Sequence, residues 1–282
     1  MLAIRRTFLA VLCALSAALC IASRSLCDDG LLRIYFLDVG QGDAIYVRAP
    51  GGRDLLVDGG PTAAVLRRLS EVMPWDDRSI DAVIETHPDA DHIGGLPDVL
   101  GRFRVGMFLE PGIESKNAID DELHDKVRTH GVPDIIARRG MRLDLGRGAV
   151  FDILFPDEDV SHAPDANSAS VVGRVRYGGT SIMLTGDSPR AIESHLSALD
   201  GPRLRSDILK AGHHGSRTSS GEGYVRLVGP EYTIISAGKD NRYGHPHQET
   251  LDIFSSLGID VLRTDKEGTI GFASDGKKLY RI

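Results

Sequence analysis

The sequence predicts an α/β fold in which two sheets pack face to face and helices cover the outer faces. Three observations point there. Short apolar runs of strand length recur in both halves of the chain, separated by stretches with helical periodicity. Two pairs of these runs are joined by glycine turns, at Gly51-Gly52 and Gly178-Gly179, as hairpins are. The polar, glycine-flanked motifs each follow a strand-like run, so they can gather along one edge of such a sandwich.

Residues 32–39 read as a buried strand ending in Gly40-Gln41-Gly42-Asp43. Residues 44–48 and 54–58 form a predicted hairpin, Gly59-Gly60-Pro61 breaks the chain, and 63–72 suit a short helix. Residues 81–85 are the next strand, with a helix expected over 96–100 and a strand over 105–109. Ile119, Leu123 and Val127, four apart, predict an amphipathic helix over 117–129. In the second half, 151–155 is a strand and 156–168 a polar loop; 170–177 with 180–184 is a hairpin. Then follow a helix over 192–199, a strand over 207–210 and the loop Gly212-His213-His214-Gly215-Ser216. Strands at 232–236, 261–264 and 269–273, a helix over 248–257 and an edge strand over 277–282 complete the pattern.

A chain of 282 residues, 41% hydrophobic and 26% charged, is ample for one sizeable core. Its start reads differently. Arg5 and Arg6 precede an uncharged, mostly apolar run over 7–23, closed by Arg24. This is the pattern of a secretory signal, with cleavage after Ser25 or Cys27. The alternative is an uncleaved anchor, although seventeen uncharged residues are at the short limit for a bilayer span. The expected division is therefore a leader over 1–27 and one domain over 28–282, exported to the periplasm or outside the cell. Any membrane contact is expected only through an uncleaved leader, and no obligate protein partner is evident. The three cysteines, Cys13, Cys20 and Cys27, all lie in the leader, so any metal site beyond it must use nitrogen and oxygen donors. Removing Arg5, Arg6 and Arg24 takes the formal charge from −7 to −10, which argues against broad, sequence-blind nucleic-acid binding.

The stretch Thr86-His87-Pro88-Asp89-Ala90-Asp91-His92-Ile93-Gly94-Gly95 carries four candidate metal ligands, His87, Asp89, Asp91 and His92, in six residues. Carboxylates crowded this way repel one another unless a cation sits among them. Asp187 follows a predicted strand, and His213 and His214 follow another. This inventory of imidazoles and carboxylates suits two divalent cations a few ångströms apart. Such a pair can activate a water and clamp the oxygens of a phosphoryl displacement. His245, between Gly244 and Pro246, could donate a proton to a leaving oxygen or bind a phosphate. Ser216, Arg217, Thr218, Ser219, Ser220, Lys239 and Arg242 could add phosphate contacts. His124, His130, His195 and His247 fall on predicted helices or their ends and read as surface residues.

These runs resemble the metallo-β-lactamase superfamily, in particular the soluble hydrolase domain of ComEC-type DNA-uptake proteins and their stand-alone relatives. The matching runs are Phe36-Leu37-Asp38-Val39-Gly40-Gln41-Gly42-Asp43-Ala44, Leu55-Leu56-Val57-Asp58-Gly59-Gly60 and residues 86–95. Further on come Asn167 with Ser170, Leu184-Thr185-Gly186-Asp187, residues 209–216, Ser236-Ala237-Gly238, residues 241–246, and Arg263-Thr264-Asp265 with Gly268. Together they span roughly residues 31–282.

The resemblance implies a four-layer αββα sandwich with the metal site on the edge between the sheets. Asp91, His92 and one of His213 or His214 would hold one ion, and His87 and Asp89 the other, with Asp187 between them. Asp89, Asp91 and His245 would take part in catalysis by a metal-activated water. Asp43 and Asp58 would orient ligands. The wider superfamily has a histidine where this chain has Asp89, and another before the Gly-Asp step, where Asn167 and His162 are the nearest polar residues. The oxygen-rich set makes Mn²⁺ or Mg²⁺ as fitting as Zn²⁺. The expected activity is phosphodiester hydrolysis of a small molecule or nucleic acid. Alternatives are hydrolysis of a lactone, thioester or other ester, and a weakly metallated, non-catalytic binding module.

Overall fold

The computed structural model describes residues 29–282. The expected leader and its cysteines lie outside the described residues.

Strands β1 (Leu32–Phe36), β2 (Ile45–Arg48) and β3 (Asp54–Val57) form an antiparallel meander. Helix α1 (Ala64–Val72) follows, then β4 (Ser79–Ile80) and β5 (Ala82–Ile84), which lies parallel to β3. Helices α2 (Ala90–Ile93) and α3 (Leu96–Arg102) lead to β6 (Arg104–Val105) and β7 (Phe108–Glu110). Helix α4 (Ala118–Thr129) returns the chain to β8 (Asp134–Ile136). The second half opens with β9 (Arg142–Gly146), β10 (Ala149–Phe155), β11 (Val172–Tyr177) and β12 (Thr180–Leu184), all antiparallel. It continues with α5 (Arg190–Asp200), β13 (Ile208–Lys210), α6 (Glu222–Val228), β14 (Tyr232–Ile235), α7 (Gln248–Ser256) and β15 (Asp260–Arg263), whose strands are parallel. After α8 (Thr264–Glu267), β16 (Ile270–Ser274) and β17 (Leu279–Arg281) cross back to the first sheet.

The two main sheets run β17-β16-β1-β2-β3-β5-β7-β8 and β15-β14-β13-β12-β11-β10-β9. Alternation explains how they meet. Along β10, Ala149, Phe151, Ile153 and Phe155 are buried while the residues between them are partly exposed. Phe36, Phe151, Ile153, Ile182 and Phe272 fill the space between the sheets. Leu56, Val83 and Phe108 point the other way, under Leu69, Leu96, Val99 and Leu123 of the first helix layer. Met183 and Leu209 do the same under Leu196, Val225 and Phe254 of the second. The result is the expected four-layer αββα sandwich, and the central strands are apolar on both faces because both are covered.

Some local expectations differ. The strand expected over 105–109 is split into β6, which pairs with β4 in a small separate sheet, and β7, which joins the main one. Gly106 donates from its N–H to Ile80 O at the break, and a Cβ there would stand 2.5 Å from Asp81 O. Strands β8 and β9 were not expected. Asp134–Ile136 is a three-residue edge segment with little burial and no alternation, whereas Arg142–Gly146 does alternate, its Leu143 and Leu145 turned to the core, but only over five residues at a sheet edge.

Phe151 is 1% exposed at the centre of the sandwich. Phe151→Ala is expected to lower the unfolding free energy by about 3–5 kcal/mol, read from denaturant-induced unfolding.

Candidate metal centre

Loops at the ends of five strands converge at one edge of the sandwich. Asp43 N–H donates to Asp91 O at 3.2 Å, and Asp58 N–H to Ile84 O at 2.8 Å. Gly42 makes the first contact feasible: its φ is +133°, and a Cβ there would lie 2.0 Å from Asp91 O. Across the sheets, Val171 N–H donates to Thr86 O at 2.9 Å, and Asp187 N–H to Ser170 Oγ at 3.3 Å. His213 N–H donates to Gly186 O at 3.3 Å.

Asp58, His213 and His214 all have φ between +49° and +61°. That region costs a non-glycine residue about 1–3 kcal/mol and persists where surrounding contacts over-determine it. Here it folds the Gly212–Gly215 turn back so that two successive imidazoles face Asp187.

Each buried imidazole is fixed from behind. His92 Nδ1 is 2.8 Å from Asp58 Oδ2, and Asp58 is itself held by Thr86, whose N–H and Oγ1 both donate to it at 2.8 Å. His214 Nδ1 is 3.0 Å from Ser236 O, and His87 Nδ1 is 3.0 Å from Thr86 Oγ1. These contacts turn the Nε2 atoms inward. His92 Nε2 is 3.4 Å from Asp187 Oδ1, and His214 Nε2 is 3.3 Å from both Asp187 Oδ2 and Asp91 Oδ2. His87 Nε2 is 3.6 Å from Asp89 Oδ2, and His213 Nε2 is 3.6 Å from Asp187 Oδ2.

The Nε2 atoms of His87, His92 and His214 and Oδ1 of Asp187 are buried and make no hydrogen bond. Buried polar atoms in native proteins are almost always satisfied. Two donors about 2.1 Å from a shared ion at a tetrahedral angle sit about 3.4 Å apart, which is the spacing found here. One ligand atom from each of Asp43, His92, Asp187 and His214 lies within 4.8 Å of the others. The donor set therefore fits divalent metal.

Protonation carries the charge balance when no cation is bound. Burial alone would push His92 and His214 down. The carboxylates around them, Asp187 first in each case, outweigh it and hold both well above the usual histidine range. Burial would likewise raise Asp187, but the imidazolium charges of His214 and His92 keep it ionised.

The sequence reading missed Lys210. It is fully buried at the end of β13, its ammonium lies against Asp43, and it stands 4.0 Å from Asp187 Oδ1. A lysine closing a strand of three buried residues just before the glycine-histidine loop was the available signal.

The structure brings His87, Asp89, Asp91, His92, Asp187, His213 and His214 together. Of the last two, His214 is enclosed and His213 lies at the mouth, its side chain 29% exposed and its Nδ1 3.1 Å from Thr218 Oγ1. Asp58 and Asp43 sit behind the imidazoles, with Asp43 Oδ1 3.5 Å from His214 Nδ1. Asn167 opens a short turn and has its Oδ1 buried without a partner, whereas His162 is exposed on the loop.

His245 stands beside His213 and His214, with ring centroids 5.4 and 6.2 Å away. Burial, then the positive charge of its histidine neighbours, brings it down to about 4. Its Nδ1 is buried without a partner, so the ring can offer an incoming oxygen a hydrogen bond.

Three expectations change. Ser216, Ser219 and Ser220 are buried and shape the loop instead of reaching for phosphate: Ser219 Oγ donates to Ser188 O, and Ser220 N–H to Glu193 Oε1. His247 is not simply on the surface, because its ring packs 4.9 Å from His245 and its Nδ1 accepts from Arg217 N–H. His124 packs edge-on against Phe108 among buried carboxylates.

Two outcomes follow for the metal-stripped protein. Adding Mn²⁺ or Zn²⁺ must displace protons from His92 and His214, so proton release is expected in calorimetry across buffers of different ionisation enthalpy. Affinity should rise with pH, because protons compete with the ion for both raised imidazoles. Asp58→Asn removes the carboxylate behind His92 and should weaken metal binding about 10–100-fold in competition with a chelator.

A family model described as "Metallo-beta-lactamase superfamily" matches residues 37–239. The ComE operon protein 3 of Bacillus subtilis is 35% identical over 261 residues, covering 84% of this chain and 32% of that protein. The competence protein ComA of Neisseria gonorrhoeae is 33% identical, covering 87% of this chain and 33% of that protein. The chain thus spans about a third of the length of these curated relatives. A hydroxyacylglutathione hydrolase of Synechococcus is 31% identical over 114 residues, 40% of this chain and 41% of that protein. Among solved structures, the metallo-β-lactamase fold protein YhfI of Bacillus subtilis covers 82% of this chain and 96% of its own, with TM-score 0.52 and 17% identity, a likeness of fold. With the family match spanning most of a chain whose four layers and edge-sited histidine and aspartate cluster have just been described, this protein belongs to the metallo-β-lactamase superfamily and is ComEC-like within it.

Proposed function

We propose that this chain hydrolyses phosphodiester bonds with two divalent ions held at the sandwich edge. The observation that carries the reading is the convergence of unpartnered Nε2 and Oδ atoms from both sheets on one buried point that opens to solvent through Asp89 and Asp91. In the assignment we propose, Asp91, His92 and His214 serve one ion, His87 and Asp89 the other, and Asp187 lies between. Bound there, the ions would supply an activated water and charge stabilisation at the phosphoryl oxygens.

The chain's own residues do the rest. Asp58, Ser236 O and Thr86 hold the imidazoles in the tautomer that presents Nε2. Lys210 adds a fixed positive charge beneath the cluster, which tempers the repulsion between Asp43 and Asp187. At the mouth, His245 can hydrogen-bond a phosphate oxygen. Arg242, exposed and stacked over Tyr243 at 4.9 Å, can meet phosphate charge or a flat ring. Relatives named for competence and recombination support a nucleic-acid substrate. The partial likeness to a hydroxyacylglutathione hydrolase supports a second reading, thioester hydrolysis at the same site. We propose export through the leader, checked by where the full chain fractionates in cells.

The test is metal-stripped protein reloaded with Mn²⁺, Zn²⁺ or Mg²⁺ and offered bis-p-nitrophenyl phosphate, single-stranded DNA, and a lactone and thioester panel. Phosphodiester turnover is expected, falling to the metal-free background in Asp91→Ala and Asp187→Ala. Turnover of thioester or lactone alone would replace the first reading by the second. A folded, metallated protein active on none of them would leave only a binding role.

A further inference from the structure

Behind the loop that carries His87 lies a second group of ionisable side chains, separate from the centre above. Glu85 directly follows β5, Glu110 ends β7 and Asp134 begins β8, three neighbouring strands of the first sheet. Alternation sends all three side chains to the helix-covered face. Val83 and Phe108 face that layer, while Ile84 and Leu109 face the inter-sheet core, and Phe108 is level with Asp134. Helix α4 lies across this face and contributes Asp120 and His124, one turn apart.

The arrangement is built, not merely acidic. His124 Nδ1 is hydrogen-bonded to Asp120 O at 3.1 Å, with Asp120 Oδ1 equally near but without a hydrogen bond, so its Nε2 is left facing Glu110 Oε1 at 3.8 Å. A backbone carbonyl behind one imidazole nitrogen with the other presented forward is one way metal-binding histidines are held. Glu110 is fixed as well, because its Oε2 accepts from Gly112 N–H at 2.7 Å. One ligand atom from each of Glu110, His124 and Asp134 lies within 4.8 Å of the others.

The second, independent observation is Glu85. It is 1% exposed, its Oε2 is buried with no hydrogen-bond partner, and the charges that act on it are those of Asp120, His124 and Glu110, with Asp58 of the first centre after them. Among the described residues no lysine or arginine pairs with Glu85, Glu110, Asp120 or Asp134. Among the described residues the His124 imidazole, raised to about 11 by Asp120 and Glu110, is the one cationic partner for four carboxylates in a half-buried space, which leaves them under-compensated. Asp134 is exposed, so the group opens to solvent on one side.

We propose that Glu110, His124 and Asp134, with the unpartnered Glu85 behind them, bind a further divalent transition-metal ion that ties β7 and β8 to α4. One nitrogen and several carboxylate oxygens suit Mn²⁺ or Zn²⁺. The site is structural: it offers no second cluster of inward imidazoles, and it lies beside the strand from which Thr86 and His87 emerge. It stands apart from the phosphodiester reading and survives the failure of that reading.

The experiment is Mn²⁺ binding to the full chain, counted by elemental analysis after desalting and followed by electron paramagnetic resonance. The exposed change Asp134→Asn leaves the packing alone and should remove one equivalent of bound Mn²⁺ relative to wild type, or weaken its binding at least about tenfold. In Asp91→Ala/Asp187→Ala, where the first centre is disabled, one equivalent should remain and should disappear on adding His124→Gln. Stoichiometry and affinity unchanged by Asp134→Asn would overturn the proposal. So would a folded Asp91→Ala/Asp187→Ala protein that takes up neither Mn²⁺ nor Zn²⁺, since the carboxylates would then be held by protons alone.

Discussion

Asp187 is the charge around which this edge of the molecule is arranged. It is 3% exposed, and three imidazole nitrogens stand 3.3 to 3.6 Å from its oxygens. An isolated carboxylate removed from water at that depth is unfavourable by many kcal/mol, so a cation must accompany it. Protonated His92 and His214 meet that need where no ion is bound, and divalent ions would meet it better. The same carboxylate also requires the sandwich to close. His92 is carried by the first sheet, whereas Asp187 and His214 are carried by the second.

Rigidity comes from the contacts one step back. Thr86 links Asp58, His87 and, through Val171, the second sheet. Because the imidazoles are gripped through Nδ1, the cluster is ordered before any ion arrives, which reduces the entropy lost on binding. The left-handed backbone at Asp58, His213 and His214 belongs to the same economy of design: strain is accepted where it places a donor. Lys210 extends the argument to charge, since its ammonium is fixed in the strand and cannot leave with the metal.

The apolar residues of the first sheet do more than fill space. Glu85 lies one residue from Thr86 and two from His87, yet points to the opposite layer from the inter-sheet core, toward α4. The loop that carries four candidate ligands therefore leaves a strand whose end is charged on its helix side. Whatever satisfies Glu85 bears on how firmly that loop is held, because the two sites share one strand end.

The sequence by itself determined the layer architecture and most of the candidate ligand set. Period-two apolar runs, hairpin glycines and the helix marked by Ile119, Leu123 and Val127 are local signals, and His87, Asp89, Asp91, His92 and Asp187 follow strands in a pattern legible without coordinates. The edge strand Asp134–Ile136 was not legible, because three half-exposed residues carry no alternation. Only the tertiary structure shows His214 enclosed and His213 at the mouth, since that difference hangs on backbone dihedrals in a turn and on Ser236 O arriving from another strand. It alone turned Ser216, Ser219 and Ser220 inward, buried Lys210 against Asp43, and gathered Glu110, His124 and Asp134 into one place. The physical reason is common to all of these. Burial and charge pairing depend on residues far apart in the chain, and a linear sequence does not display which of them will meet.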